Sequence, residues 1–191
     1  MLKVFVTNLG KYNEGELCGK WIELPIEEED LNKVFDEIKV SHEDEEGNEI
    51  KYYDAVGNPY EEYFFTEFET DIDGLNIEEF SHIEDLNELI NQLEDLTDEE
   101  ELVLSGLLTE GGYSIEEAIT IVIDQQNYSV FYDCFNMTDV AEQVVENYDY
   151  LQEMPEHLRN YFDYEAFGRD LEIEGNYIYC GEGVYIEIYP Y

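Results

Sequence analysis

Three consecutive stretches decide how this chain folds: Ser81-His-Ile-Glu-Asp-Leu-Asn-Glu-Leu-Ile-Asn-Gln-Leu93, Thr97-Asp-Glu-Glu-Glu-Leu-Val-Leu-Ser-Gly-Leu-Leu108 and Ser114-Ile-Glu-Glu-Ala-Ile119. Each sets a hydroxyl residue three positions ahead of a Glu: Ser81 and Glu84, Thr97 and Glu100, Ser114 and Glu117. That spacing is the capping-box signature of a helix start. In the first stretch Ile83, Leu86, Leu89, Ile90 and Leu93 fall on one helical face, and Glu84, Asp85, Glu88, Glu94 and Asp95 fall outside it. The middle of the chain is therefore expected to be helical.

On either side the period changes from helical to strand-like. Leu2–Asn8 and Leu17–Leu24 read as strands joined by a polar loop over Gly10–Gly15, and Pro25 opens a turn into a helix over Glu27–Lys39 with Leu31, Val34, Phe35 and Ile38 as its buried face. An acidic run, Glu43–Gly47, leads into a strand pair over Ile50–Val56 and Glu61–Glu69. Toward the C-terminus, Tyr128–Tyr132 reads as a strand. Thr138 caps a helix through Tyr148, Pro155 sits in the first turn of another, and Tyr177–Cys180 with Val184–Tyr189 forms a closing hairpin. The expected class is α+β, with three small domains: an α+β domain over 1–70, a helical domain over 71–126 and an α+β domain over 127–191.

The charge is one-sided. The 191 residues carry 50 Asp and Glu against 8 Lys and Arg, a formal net charge of −42. From Tyr52 to Leu158, 107 residues pass without one Lys or Arg while 29 carboxylates accumulate, and six Lys cluster in the first 51 residues. Like charge repels itself and weakens the compact state. Yet 43% of residues are hydrophobic and 15% aromatic, which is enough apolar material for a core rather than a solvating tail. Helix starts account for only about a quarter of the acid, at roughly two or three carboxylates per start. A helix needing only solubility would intersperse Lys at i,i+4, and the middle helices never do.

That charge excludes several classes of partner. No basic stripe is available to displace counterions from nucleic acid, and anionic membranes repel the chain. No apolar run reaches membrane-spanning length, and three widely spaced Cys (Cys18, Cys134, Cys180) argue against a disulfide framework, so a reducing cytoplasm is the expected compartment. Basic protein surfaces or divalent cations remain. Glu69-Thr-Asp71-Ile-Asp73-Gly74 matches the start of a calcium loop, but Phe80 stands where the bidentate Glu belongs and the preceding segment reads as strand. His42, His82 and His157 lack zinc-ligand spacing and read as surface or capping residues, the Cys read as small core residues, and there is no phosphate-cradling loop or nucleophile elbow. No metal, cofactor or catalytic residue is expected, and the chain does not read as an enzyme. A calcium-binding protein and an acidic inhibitor of some other basic nucleic-acid-binding protein are the alternatives.

Duplex DNA presents one charge per ~1.7 Å of axis, so the net charge matches ~70 Å of duplex, whereas a compact globule of this length is only ~40 Å across. An elongated row of small domains would place the carboxylates at DNA-like density. Asn8-Leu-Gly-Lys-Tyr-Asn-Glu-Gly-Glu-Leu-Cys-Gly-Lys-Trp21 with Leu24-Pro25, the helical stretches Ser81–Leu96 and Leu104–Thr109, and Asn160-Tyr-Phe-Asp-Tyr-Glu-Ala-Phe-Gly-Arg-Asp-Leu171 together resemble the ArdA-type antirestriction proteins of conjugative plasmids and transposons. The resemblance runs through nearly the whole chain, which is longer than the usual member, with extra acidic material around Glu43–Asn58. It implies an elongated three-domain DNA mimic, dimeric through its C-terminal region, that occupies the DNA groove of Type I restriction-modification enzymes. The carboxylates expected to form the mimic surface are Glu62, Glu67, Glu69, Glu84, Asp85, Glu88, Asp95, Glu99, Glu116 and Glu117. Gly10, Tyr12, Gly15, Gly19 and Trp21, with Tyr164, Gly168, Arg169 and Asp170, match the family's motifs and read as structural.

Overall fold

The computed structural model describes residues 1–44 and 46–189; Glu45 of the expected acidic run lies outside the described residues. The chain is α+β, as its pattern implies, and its contacts group it into two compact units, Met1–Leu96 and Thr97–Tyr191. The boundary falls within the stretch 71–126.

The first unit runs β1 (Leu2–Asn8), α1 (Leu9–Asn13), β2 (Gly19–Leu24), α2 (Glu28–Ile38), β3 (His42–Glu43), β4 (Glu49–Ile50), β5 (Tyr63–Thr70) and α3 (Ile83–Leu93). β1 is the centre of an antiparallel sheet in the order β2-β1-β5. Alternation along the strands sends Leu2, Val4, Val6, Ile22 and Leu24 to a buried face. The buried stripe of α2 is Leu31, Val34, Phe35 and Ile38, the four positions its helical spacing selects.

Three local expectations are corrected. The Gly10–Gly15 loop begins as helix α1, because Asn8 caps it: its Oδ1 accepts the Lys11 N–H at 2.9 Å. The same side chain donates from Nδ2 to Ile38 O at 3.1 Å and Lys39 O at 2.8 Å, tying the start of α1 to the end of α2. Ile50–Val56 is not a continuous strand. Only Glu49 and Ile50 pair, with Glu43 and His42, and Tyr53 bridges Pro59. Asp54 accepts the N–H groups of Val56 (2.9 Å) and Asn58 (2.8 Å), so a side chain captures donors that a ladder would need. Finally, Ser81 does not cap α3. The N-cap is His82, without a side-chain cap bond, and the N–H of the fully buried Ile83 donates instead to Tyr63 Oη at 3.2 Å.

The second unit runs α4 (Asp98–Thr109), α5 (Ile115–Ile119) continued by a π-helical turn over Thr120–Gln125, β6 (Tyr128–Phe131), α6 (Met137–Asn147), α7 (Glu156–Arg159), α8 (Tyr164–Glu174), β7 (Tyr177–Gly181) and β8 (Val184–Ile188). Here both capping boxes form. Thr97 and Glu100, and Ser114 and Glu117, exchange side-chain and backbone bonds reciprocally. The cap of α6 is Asn136 rather than Thr138, with Oδ1 accepting from Thr138 N at 2.9 Å and Asp139 N at 3.2 Å. Pro155 stands one residue earlier than its expected place, as the N-cap of α7.

β6, β8 and β7 make an antiparallel sheet with β8 in the centre. Phe131, Tyr177 and Tyr185 pack with Val140, Ala141 and Val144 of α6 and Leu171 of α8. From the other direction α4 meets β7, where Gly106 lies against Cys180. The sheet is thus layered between helices, and α6 and α8 approach so closely that a Cβ at Gly168 would sit 2.5 Å from Met137 O.

Candidate partner-binding surface

All ten carboxylates selected from the sequence are exposed. Glu62 precedes β5, and Glu67 and Glu69 lie on it, in register with Phe5 and Lys3 of β1. Glu84 and Asp85 occupy the first turn of α3, Glu88 follows one turn on, and Asp95 lies just past its end. Glu99 is in the first turn of α4, and Glu116 and Glu117 in that of α5, where each also faces the positive end of the helix dipole. Seven of the ten belong to the first unit and three to the second.

None of the ten is ion-paired among the described residues, although Glu117 accepts the Ser114 N–H at 3.0 Å as half of its capping box. Most of the cations are engaged elsewhere. Lys11 pairs with Glu16, Lys20 with Glu37, Lys33 with Glu29 and Asp30, Lys51 with Glu49, Arg169 with Glu165, and the N-terminal ammonium with Asp71. Arg159 donates to the carbonyls of Met154 and Gln152 rather than to a carboxylate. By residue count the first unit carries −22 and the second −20, so the excess is shared almost equally although the six Lys are all in the first.

Where carboxylates have neighbours, the shifts follow hydrogen bonding. The Asn48 amide and backbone N–H groups hold Asp44 below the usual carboxylate range, and Asn58 does the same for Asp54. The Thr97 backbone N–H, then its hydroxyl, lowers Glu100. Conversely, the Tyr52 hydroxyl donates to Asp36 at 2.7 Å and its pKa is pushed up to about 12 by that bond. These groups carry structural bonds rather than the graded proton affinities of a catalytic pair.

The calcium-like segment does not gather its acids. Glu69 stays in the β5 ladder opposite Lys3 and Asp71 binds the N-terminal ammonium, and no group of three or more potential metal-ligating side chains occurs among the described residues. Cys134 and Cys180 are buried, and burial raises their thiols to about 11 and about 12, which suits core residues rather than nucleophiles. His42 is not a surface residue: its side chain is 7% exposed, packs on Phe35 and has Nδ1 3.1 Å from Val40 O. Among the described residues no helix is long and apolar enough to cross a membrane.

Two features escaped the sequence reading. Asn8 is fully buried, and its capping role is legible only from the helix it starts. Trp21 is 39% exposed on the outer strand of its sheet, unlike a residue kept solely for the core; its strict alternation with buried Ile22 was the available signal.

The model of the ArdA antirestriction protein family matches residues 4–186, and the chain belongs to that family. No curated protein matches the chain.

Proposed function

On the premise of that membership, we propose that this antirestriction protein is a DNA mimic that occupies the DNA-binding groove of Type I restriction-modification enzymes and so protects incoming unmodified DNA. The observation that carries the reading is the shared excess of charge, −22 and −20 in the two units, combined with ten exposed carboxylates that have no ion-pair partner among the described residues. A groove built to bind phosphates presents Lys and Arg to any surface with matching potential. Attraction between such surfaces gives fast association that weakens as salt screens it. The charge is distributed, so no single carboxylate dominates, and no residue acts chemically.

The carboxylates that carry the mimicry are Glu62, Glu67, Glu69, Glu84, Asp85, Glu88, Asp95, Glu99, Glu116 and Glu117. The protein acts as a cytoplasmic homodimer through the 127–191 segment. Support for the dimer is the exposure of large apolar side chains there, including Phe135, Tyr161 and Ile173, at 70%, 83% and 81%. The deciding experiment is a gel-shift competition in which the protein displaces duplex DNA from a Type I methyltransferase core. Displacement at low salt that fades with added NaCl is the expected outcome, and its absence at low salt overturns the proposal. Light scattering of the isolated protein tests the dimer.

A further inference from the structure

The register of the first sheet sets two three-residue rows on the face opposite its buried one. Trp21 of β2, Phe5 of β1 and Glu67 of β5 form one row, and Glu23, Lys3 and Glu69 form the next. Their neighbours along the strands, Leu2, Val4, Ile22 and Leu24, are at most 5% exposed on the other face, whereas Trp21, Glu23, Glu67 and Glu69 are all exposed. Trp21 meets Phe5 edge-on, with centroids 5.4 Å apart at 67°. Gly19 continues the Trp21 side of β2 and leaves room for that pair, since a Cβ there would sit 2.6 Å from the Phe5 ring. A large aromatic is therefore held half in water on the outer strand of the sheet, with Glu23 two residues along the same strand and Glu67 at the far end of its row, beyond Phe5.

We propose that Trp21, with Phe5 next to it, Glu23 two residues along its strand and Glu67 beyond Phe5 in the same row, is a receptor for an arginine side chain of the basic partner surface. The inference rests on the antirestriction reading above and names the contact that would supply affinity beyond diffuse charge. Arginine is the occupant that fits this chemistry: its weakly hydrated planar guanidinium stacks on an indole while its N–H groups bond carboxylates, and an ammonium does the first less well. Elsewhere the first unit already sets cations over rings, with Lys39 Nζ 4.7 Å from the Tyr52 centroid and Lys11 Nζ 5.6 Å from that of Tyr60. Among the described residues no cation of the chain lies over Trp21. Lys3, the one cation in the array, stands between Glu23 and Glu69, so the two rows together remain net negative.

Trp21 is the only tryptophan, so its emission reports this site alone. The test titrates the full chain with oligoarginine and oligolysine of equal length, neither of which fluoresces. Oligoarginine is expected to perturb Trp21 emission saturably and to bind about threefold to thirtyfold tighter than oligolysine. Followed by titration calorimetry, because these variants have no tryptophan, Trp21→Ala should abolish that preference while both peptides still bind, and Trp21→Phe should retain part of it. The same variants enter the DNA-displacement assay, where Trp21→Ala should lose about tenfold in potency at unchanged net charge and unchanged circular dichroism. Equal affinity for the two peptides, or emission unmoved at saturation, overturns the arginine receptor. Failure of the wild-type protein to displace DNA would instead overturn the restriction-enzyme reading, and the peptide arms would still decide this one.

Discussion

Gly106 of α4 lies directly against Cys180 of β7: a Cβ at position 106 would be 2.5 Å from Sγ and 2.8 Å from the Cα of Cys180. Helix and sheet in the second unit meet at van der Waals limits because one residue there has no side chain. The contact involves backbone as well as the thiol, so it cannot be relieved by a rotamer change alone.

Gly106→Ala should therefore destabilise the second unit although Ala favours helix. The overpacking cost, about 1–3 kcal/mol, exceeds the helix-propensity gain of at most about 1 kcal/mol. Urea unfolding should give a lower midpoint for the variant; an unchanged or higher midpoint would mean that α4 and β7 can separate freely.

The helix starts make a graded prediction. Thr97→Ala and Ser114→Ala each remove a formed capping box and should cost about 1 kcal/mol. Ser81→Ala should change stability by less than about 0.5 kcal/mol, because the α3 start is held by Tyr63 rather than by Ser81. Tyr63→Phe should be the costlier change at that helix, leaving the buried Ile83 N–H without its acceptor. Thermal melts of the four variants test the order.

Salt should act with opposite signs on folding and on partner binding. At a net charge of −42, screening relieves self-repulsion, so the melting temperature should rise between about 0.05 M and about 0.5 M NaCl. Over the same range inhibition of a restriction enzyme should weaken. Glu84→Gln alone should shift inhibition by less than about threefold, while Glu84, Asp85 and Glu88 neutralised together should flatten its salt dependence. Scanning calorimetry and displacement assays at matched salt read both effects, and a melting temperature that fell with salt would contradict the first.

Alkali should loosen the second unit. Burial raises the native thiols of Cys134 to about 11 and Cys180 to about 12 from an ordinary value of 9.0. A raised native pKa means that the stabilising contribution is complete below pH 9.0, where both states hold the proton. It is lost as pH rises toward about 12, because the unfolded thiols ionise first. Chemical stability should decline across that window, where Tyr128, Tyr148, Tyr177 and Tyr185, also held above the ordinary tyrosine value, add to the loss. Cys134→Ser with Cys180→Ala should lessen the onset of that decline above pH 9.0. Both thiols should also resist a thiol reagent at neutral pH, where half-buried Cys18 reacts first.

The sequence by itself determined the class and most elements, because these depend on period and on local caps. Leu31, Val34, Phe35 and Ile38 can share a surface only as a helix, and Thr97 with Glu100 satisfies its own helix start without help from elsewhere. It also determined the charge, which no folding can redistribute in sign. What it misplaced are positions where a partner distant in the chain competes with a local one. Ser81 and Glu84 have the spacing of a capping box, yet the helix starts at Ile83, whose N–H goes to Tyr63, twenty residues away. Asn8 ends its strand as expected, but only the arrival of the α2 carbonyls explains its burial. For the candidate surface, residue type announced the carboxylates, while the register of β2, β1 and β5 decided that Trp21 lies in a row with Glu67 and one row from Glu23 and Glu69. Pairing across strands is fixed by long-range burial of the opposite face, so which side chains meet there belongs to tertiary structure alone.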